Sequence, residues 1–379
     1  MPNLKHIETN ELDLTSGTNV CGWLQGSAYS RQENGSVSRE FTATRNCTEE
    51  NMISHTSDSM RRDDAVRADV STSEGPQWQS FDYNSSRTWA ARDVTKRAVA
   101  WAGCILHRLM GQRLLNRFGI LMYHRVSDPV AGLTAPTWNV TPASFCDQMT
   151  GLLRQGFEPW SLKRLITERK KGLPQDAKVF AVTFDDGFES VYQNAWPVLR
   201  EYQIPATIFL STAYLDQQQA FPFDDWREAG SDRVPADSYR PLTTEQCLTM
   251  AADGLVELGA HTHTHRDFTR HPREFAADLA ENVAVLRTRL GVARPLFAFP
   301  YGRATNEMLK IVADAGCGCA LTTYGAPADP NRTPFDWGRF HVERWDTADT
   351  LAAKLSGWGT ASALRRPFTR WRRPELVSG

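Results

Sequence analysis

The sequence predicts an α/β fold built on a barrel-like parallel sheet. Two observations carry this reading. From residue 118 onward, short apolar and β-branched runs alternate with stretches of helical period. Polar, ligand-capable residues also stand at the ends of the apolar runs, where a (β/α) barrel keeps its chemistry. The strands are expected at 120–126, 179–185, 206–211, 256–261, 296–300 and 320–323. Helices are expected between them at 142–155, 191–202, 243–252, 274–290 and 306–315. Gly254, Gly291 and Gly316 supply stops after three of the helices. Six strands with intervening helices fit a barrel-like parallel sheet better than a sandwich.

The flanks read differently. Residues 1–95 are rich in Ser, Thr, Asn, Arg and Glu and show no sustained period. They are expected to be disordered, or to precede the true start, for example at Met60. Residues 96–117 are expected to form an amphipathic helix and linker. Within 96–116, Val99, Trp101, Ile105, Leu106, Leu109 and Met110 recur at helical spacing among Lys96, Arg97, Arg108 and Arg113. Such a helix packs on the domain edge or lies on a membrane surface, and the former is favoured. The α/β domain is placed at 118–350. A basic tail follows at 351–379, whose part from Ala361 carries five Arg and one Glu.

The formal charge of −1 predicts no nucleic acid or other polyanion as partner. No apolar run reaches the roughly 18 residues of a spanning helix. The first residues lack the basic-then-apolar pattern of a secretory signal. Seven cysteines scattered over the chain favour a reducing compartment with free thiols. The expected location is therefore cytoplasmic or peripheral at the inner membrane, and extracytoplasmic if the start lies elsewhere. Cys317 and Cys319 read as small buried residues rather than half a metal site.

The strand ends carry the chemistry. They are Tyr123-His124-Arg125, Thr183-Phe184-Asp185-Asp186-Gly187, His261-Thr262-His263-Thr264-His265 and Phe299-Pro300-Tyr301-Gly302. Adjacent carboxylates after an apolar strand repel unless a cation or proton offsets them. One can bind an ion while its neighbour, pointing elsewhere, accepts a proton. Taken alone, Asp-Asp-Gly fits a solvated turn equally well. Three alternating histidines on an extended segment are expected on one side of it, since the strand period is two. Neutral imidazole is the commonest zinc ligand. The residues leave open which two of the three bind. One Asp and two His leave a position for water or substrate, as in a catalytic zinc site.

The set Asp185-Asp186-Gly187, His261-x-x-x-His265 and Phe299-Pro300-Tyr301-Gly302 resembles the successive motifs of the polysaccharide deacetylases, the NodB-homology domains of carbohydrate esterase family four. Connecting segments share the likeness: Leu121-Met122-Tyr123-His124-Arg125-Val126, Pro205–Phe209 and Gly254–Gly259. It spans about 118 to 345. The resemblance implies a distorted (β/α) barrel of the NodB type and an enzyme that removes N-acetyl groups from an amino-sugar polysaccharide. It further implies one divalent ion, zinc first, with cobalt or nickel able to serve. Asp186, His261 and His265 would hold it, with His263 a bystander. Asp185 would be the base, and the Tyr301 N–H would help stabilise the oxyanion beside Pro300.

The sequence departs from that pattern in two places. The family pattern has an Arg four residues before the Tyr, where this chain has Phe297; Arg339 is the candidate replacement. The form Phe297-Ala298-Phe299-Pro300-Tyr301-Gly302 resembles the branch that acts in biofilm and exopolysaccharide systems. The late Leu-x-His motif that supplies a general acid is missing. His341 could fill that role but reads better as an ordinary strand residue. His124 binds substrate, acts as the acid or makes a structural hydrogen bond. Phe188, Trp196 and Trp226 are candidates for a sugar platform against a default of core packing. Two further readings stand: a carbohydrate-binding barrel that keeps the metal but not turnover, and a hydrolase of a small non-sugar amide.

Overall fold

The computed structural model describes residues 86–112, 117–172, 177–227 and 233–358. The expectations for 1–85 and for the tail from 359 lie outside these residues. The elements in order are α1 (Ser86–Met110), β1 (Gly119–Tyr123), β2 (Arg125–Val126), β3 (Asn139–Val140), α2 (Pro142–Arg154), β4 (Glu158–Pro159), α3 (Leu162–Glu168) and β5 (Val179–Phe184). There follow α4 (Trp196–Glu201), β6 (Ala206–Leu210), α5 (Ala236–Tyr239), α6 (Thr244–Ala252), β7 (Val256–Ala260) and α7 (Pro272–Leu290). The domain ends with β8 (Phe297–Ala298), α8 (Asn306–Asp314), β9 (Ala320–Leu321), β10 (Phe340–His341) and α9 (Ala348–Leu355).

Local chemistry sets the helix ends. Thr141, Thr243, Thr305 and Thr347 each accept a hydrogen bond from a first-turn N–H of the helix that follows. Thr243 and Gln246 complete a capping box. Gly291, at φ 70°, ends α7 in the left-handed conformation. The helix expected at 191–202 opens with a π turn over Val191–Ala195 before α4. Pro197 in the first turn of α4 lacks the N–H that regular α winding would need there.

The large sheet is parallel throughout, in the order β10-β1-β5-β6-β7-β8-β9, with β4 added beside β5. Trp337 makes a single parallel bridge to Leu321 of β9, and Phe340 pairs with Leu121 of β1. The segment 337–341 therefore runs from the last strand back to the first and seals the barrel. The two faces of the strands bury separate clusters. Leu121, Phe180, Val182, Phe184, Ile208, Leu258 and Phe297 pack with helix residues such as Met149, Leu199, Phe275 and Leu286. Ile120, Ala181, Phe209, Ala298, Leu321 and Trp337 form a second cluster with Trp160, Leu162 and Leu165 of the α3 region. The period-two alternation of the strands makes this split, and it puts Asp185 and His261 in phase with the inner set.

Two expectations are corrected. The first strand breaks at His124: Asp185 N–H takes the Tyr123 carbonyl at 2.9 Å, and β2 then pairs with β3 in a sheet of its own. The helix expected over 96–116 runs instead from Ser86 to Met110, so residues 86–95 are helical rather than part of a disordered extension. Ala90 and Ala91, with no Pro or Gly before Gly103, favour that winding. Cys317 and Cys319 are buried free thiols, and burial pushes both up to about 12.

Candidate metal centre and base

Asp185 and Asp186 follow β5 but face different ways. Asp186 has φ 71° and Gly187 φ 91°, so the chain turns sharply between the two carboxylates. A Cβ on Gly187 would lie 2.7 Å from Leu210 Cδ2, so the turn has no room for a side chain. Asp186 Oδ1 lies 3.1 Å from His265 Nε2 and 3.5 Å from His261 Nε2. All three residues are buried, and one ligand atom from each falls within 4.8 Å of the others. Asp186 Oδ1 is buried without a hydrogen bond of proper geometry. A carboxylate and two imidazoles converging on one point around an orphaned oxygen fit a divalent cation of the zinc class.

The histidine segment is not extended, which corrects the one-sided expectation. β7 ends at Ala260, and Thr262 and His265 have φ 62° and 54°. His261 and His265 are thereby turned to one point and His263 away from it. His263 instead contacts Thr212 Oγ1 through Nδ1 at 2.9 Å. His261 Nδ1 contacts the Ala298 carbonyl at 2.8 Å, which puts the proton on Nδ1 and leaves Nε2 free for a metal. Phe223 stacks on the His265 ring at 3.9 Å and Tyr301 meets its edge at 4.9 Å. The loop itself hangs from α7. Asp278 accepts from the His263 and Thr264 N–H groups and from Thr264 Oγ1. The Asn282 amide donates to the Leu210 and Thr262 carbonyls and to Thr212 Oγ1.

Asp185 belongs to another network. Arg339, fully buried on the sealing segment, donates from Nη1 to Oδ1 at 2.6 Å and from Nη2 to Oδ2 at 2.7 Å. Its Nη1 also reaches Thr183 Oγ1, its Nε the Thr322 carbonyl, and the Phe209 ring lies 5.5 Å from its Cζ. Burial alone would raise the Asp185 carboxyl; the Arg339 guanidinium beside it, with His261, outweighs that and holds it below its ordinary value. Asp186 is likewise pushed up by burial, and the His265 and His261 imidazoles bring it well below the usual range. The result is an ionised, oriented carboxylate beside a cation-binding cluster, and Asp185 Oδ2 lies 3.9 Å from His261 Nε2. Phe297 faces the outer cluster against Phe275 and Phe299, so it has no part in this network.

The remaining candidates fall into two groups. His124, Trp138 and His341 stack side by side at the mouth, with ring centroids 5.6 and 4.5 Å apart. Pro300 is buried, and Tyr301, at φ 58°, is exposed at the rim. A Cβ on the adjoining Gly302 would overlap the Thr323 side chain. Phe188 and Trp226 are buried around the Arg125 guanidinium and offer no open face to a sugar. Trp196 stacks on Tyr192 and bonds Asp253, neither of which belongs to the cluster. The sequence reading missed Trp138, Phe223, Asp278 and Asn282. Only Asn282 left a signal: it is a polar residue on the face of α7 that otherwise buries Phe275, Leu279, Val283 and Leu286.

The family model for polysaccharide deacetylases matches residues 172–320, which include both acids, the histidine segment and the Pro-Tyr-Gly turn. This region belongs to the polysaccharide deacetylase family. The chain is also similar to curated proteins over a longer stretch. The poly-β-1,6-N-acetyl-D-glucosamine N-deacetylase of Escherichia coli (strain K12) is 27% identical over 229 residues, covering 53% of this chain and 33% of that protein. The enzyme of the same name from Staphylococcus aureus (strain MSSA476) is 21% identical over 295 residues, covering 73% of this chain and 92% of that protein. The chain thus spans about a third of the length of the first relative. Two solved structures share the fold. They are the Streptococcus pyogenes deacetylase PplD in complex with acetate (22% identity, TM-score 0.52, 63% of this chain and 98% of that one) and IcaB from Ammonifex degensii (25%, 0.51, 63% and 97%).

Proposed function

We propose that this protein hydrolyses N-acetyl groups on a polymer of N-acetylglucosamine, with a β-1,6-linked chain as the substrate to test first. The observation that carries the reading is the pairing of the Asp186–His261–His265 cluster with an Asp185 carboxylate locked by Arg339. A divalent ion, zinc in our assignment, would be held by that cluster and would act as a Lewis acid on the acetamide carbonyl. Asp185 takes the proton of the attacking water, because its two oxygens are fixed and ionised at neutral pH. The Tyr301 N–H donates to the developing oxyanion. His124, stacked on Trp138, is the group at the mouth we assign to return a proton to the leaving amine; His341, on the other face of Trp138, is held neutral by burial. A binding barrel without turnover had two motives, Phe297 and the missing general-acid motif. The grip of Arg339 on Asp185 answers the first of them.

The test is acetate release from acetylated glucosamine oligomers by the purified protein, with zinc, cobalt or nickel supplied. Asp185→Asn should lower the rate by about 10²–10⁴-fold while the protein still binds zinc. His261→Ala should lose both rate and metal. No acetate release with any of these metals would overturn the activity. Full activity in Asp185→Asn would overturn the assignment of the base.

A further inference from the structure

We propose that the outward face of α1 docks this protein on an anionic lipid surface. Val94, Ala98, Trp101, Ile105 and Leu109 follow one another at intervals of four, three, four and four residues and so share one side of the helix. Val94, Trp101 and Leu109 are 66%, 69% and 78% exposed, and Met110 extends the patch. Five of the eight exposed large hydrophobic residues among those described lie on this helix, so the apolar exposure is concentrated rather than scattered. The stripe runs about 22 Å at 1.5 Å per residue.

The other side of α1 is already occupied. Ala100 and Gly103 are buried, and the helix packs on α9. Lys96 pairs with Glu343 and Arg108 with Asp349, one on each side of that contact. Among the described residues, the apolar stripe is thus the side left uncovered.

Charge selects the occupant. No Asp or Glu occurs from residue 94 to 127, whereas Lys96, Arg97, Arg108, Arg113 and Arg117 do; Lys96, Arg108 and Arg117 pair with Glu343, Asp349 and Asp329, and the sequence adds Arg97 and Arg113 beyond those pairs. The Trp358 indole donates to the Gly111 carbonyl at 2.9 Å, so the last described residue lies beside the C-terminal end of α1, and the sequence continues from 359. That stretch contains five Arg against one Glu. An apolar stripe beside a local excess of cations matches the acyl boundary and headgroups of an anionic leaflet. A second copy of this chain would instead set two helices of like net charge against each other, each with five basic residues and one acidic residue, Asp93. Among the described residues no helix is long and apolar enough to cross a membrane, so the contact lies in the interface plane.

The experiment is sedimentation of the full-length chain with vesicles of phosphatidylglycerol and phosphatidylcholine in equal parts, and with phosphatidylcholine vesicles alone. The protein should pellet with the anionic vesicles and should be released by salt. Trp101→Glu/Leu109→Glu should weaken vesicle affinity by at least about tenfold with its circular-dichroism melt unchanged. The milder Leu109→Gln should give a smaller loss in the same direction, and stands in if the double variant fails to fold. Wild type that stays in the supernatant with every vesicle overturns the proposal, as does a folded variant that binds as wild type does. A dimer that forms without vesicles and that the variant dissociates also overturns it, because a second copy then covers the stripe.

Discussion

Asp185 and Asp186 are neighbours that do unlike work, and one backbone torsion separates them. At φ 71°, Asp186 turns its carboxylate toward His261 and His265 while Asp185 stays with Arg339. Removing the guanidinium leaves burial as the main influence on Asp185, and burial raises a carboxyl. Arg339→Met should therefore move the acidic limb of the kcat/KM profile to higher pH, whereas zinc affinity stays near wild type. A limb that does not move would mean that Arg339 does not tune the base. His341 gives a second pH effect, this one on stability. Burial lowers its imidazole to about 3, against about 6.5 for an unfolded histidine. Between these values the unfolded chain binds a proton that the native one does not. The contribution of His341 to stability is therefore complete above about pH 6.5 and falls by up to about 1.4 kcal/mol per unit below it. His341→Phe should flatten the fall in denaturation free energy between about pH 6.5 and 4, as read by urea titration. The ligands were legible in the sequence as residue types. Which histidines converge was not, because positive φ at Thr262 and His265 breaks the strand period that the reading assumed.

At the level of elements, α7 is the bracket of the site. Asp278 and Asn282, one turn apart, hold the histidine loop through its backbone, and Asn282 also ties it to the end of β6. Asn282→Leu fills a similar volume but removes three hydrogen bonds. Metal affinity should fall by about 10–100-fold, measured by competition with a chromogenic chelator. Unchanged affinity would show that the loop holds its own shape. The long helices and the strands 179–184, 206–210 and 256–260 were readable, since each carries a full period of buried residues. β10 was not, because two residues make no alternation and a buried Arg precedes them. α3 and α9 were missed as well; each spans only two turns or so.

For the molecule as a whole, the barrel-like parallel sheet followed from the alternation of strand and helix. The closure did not. It depends on a pairing between residues about 220 positions apart that no local pattern announces. That closure has a cost in local stability. The sealing segment has a short backbone ladder, two pairs of β10 with β1 and one bridge at Trp337, and is otherwise pinned by its buried side chains, so it can open locally only when the Arg339–Asp185 grip breaks. It also carries Arg339. On gradual warming, acetate release should decline several degrees before ellipticity does, and Phe340→Ala should widen that gap. Coincident curves would mean that the barrel opens only as a unit. The latch of the barrel is in effect the safety catch of the enzyme: a molecule that has begun to come apart drops its grip on the proton acceptor and stops cutting while most of its shape is still intact.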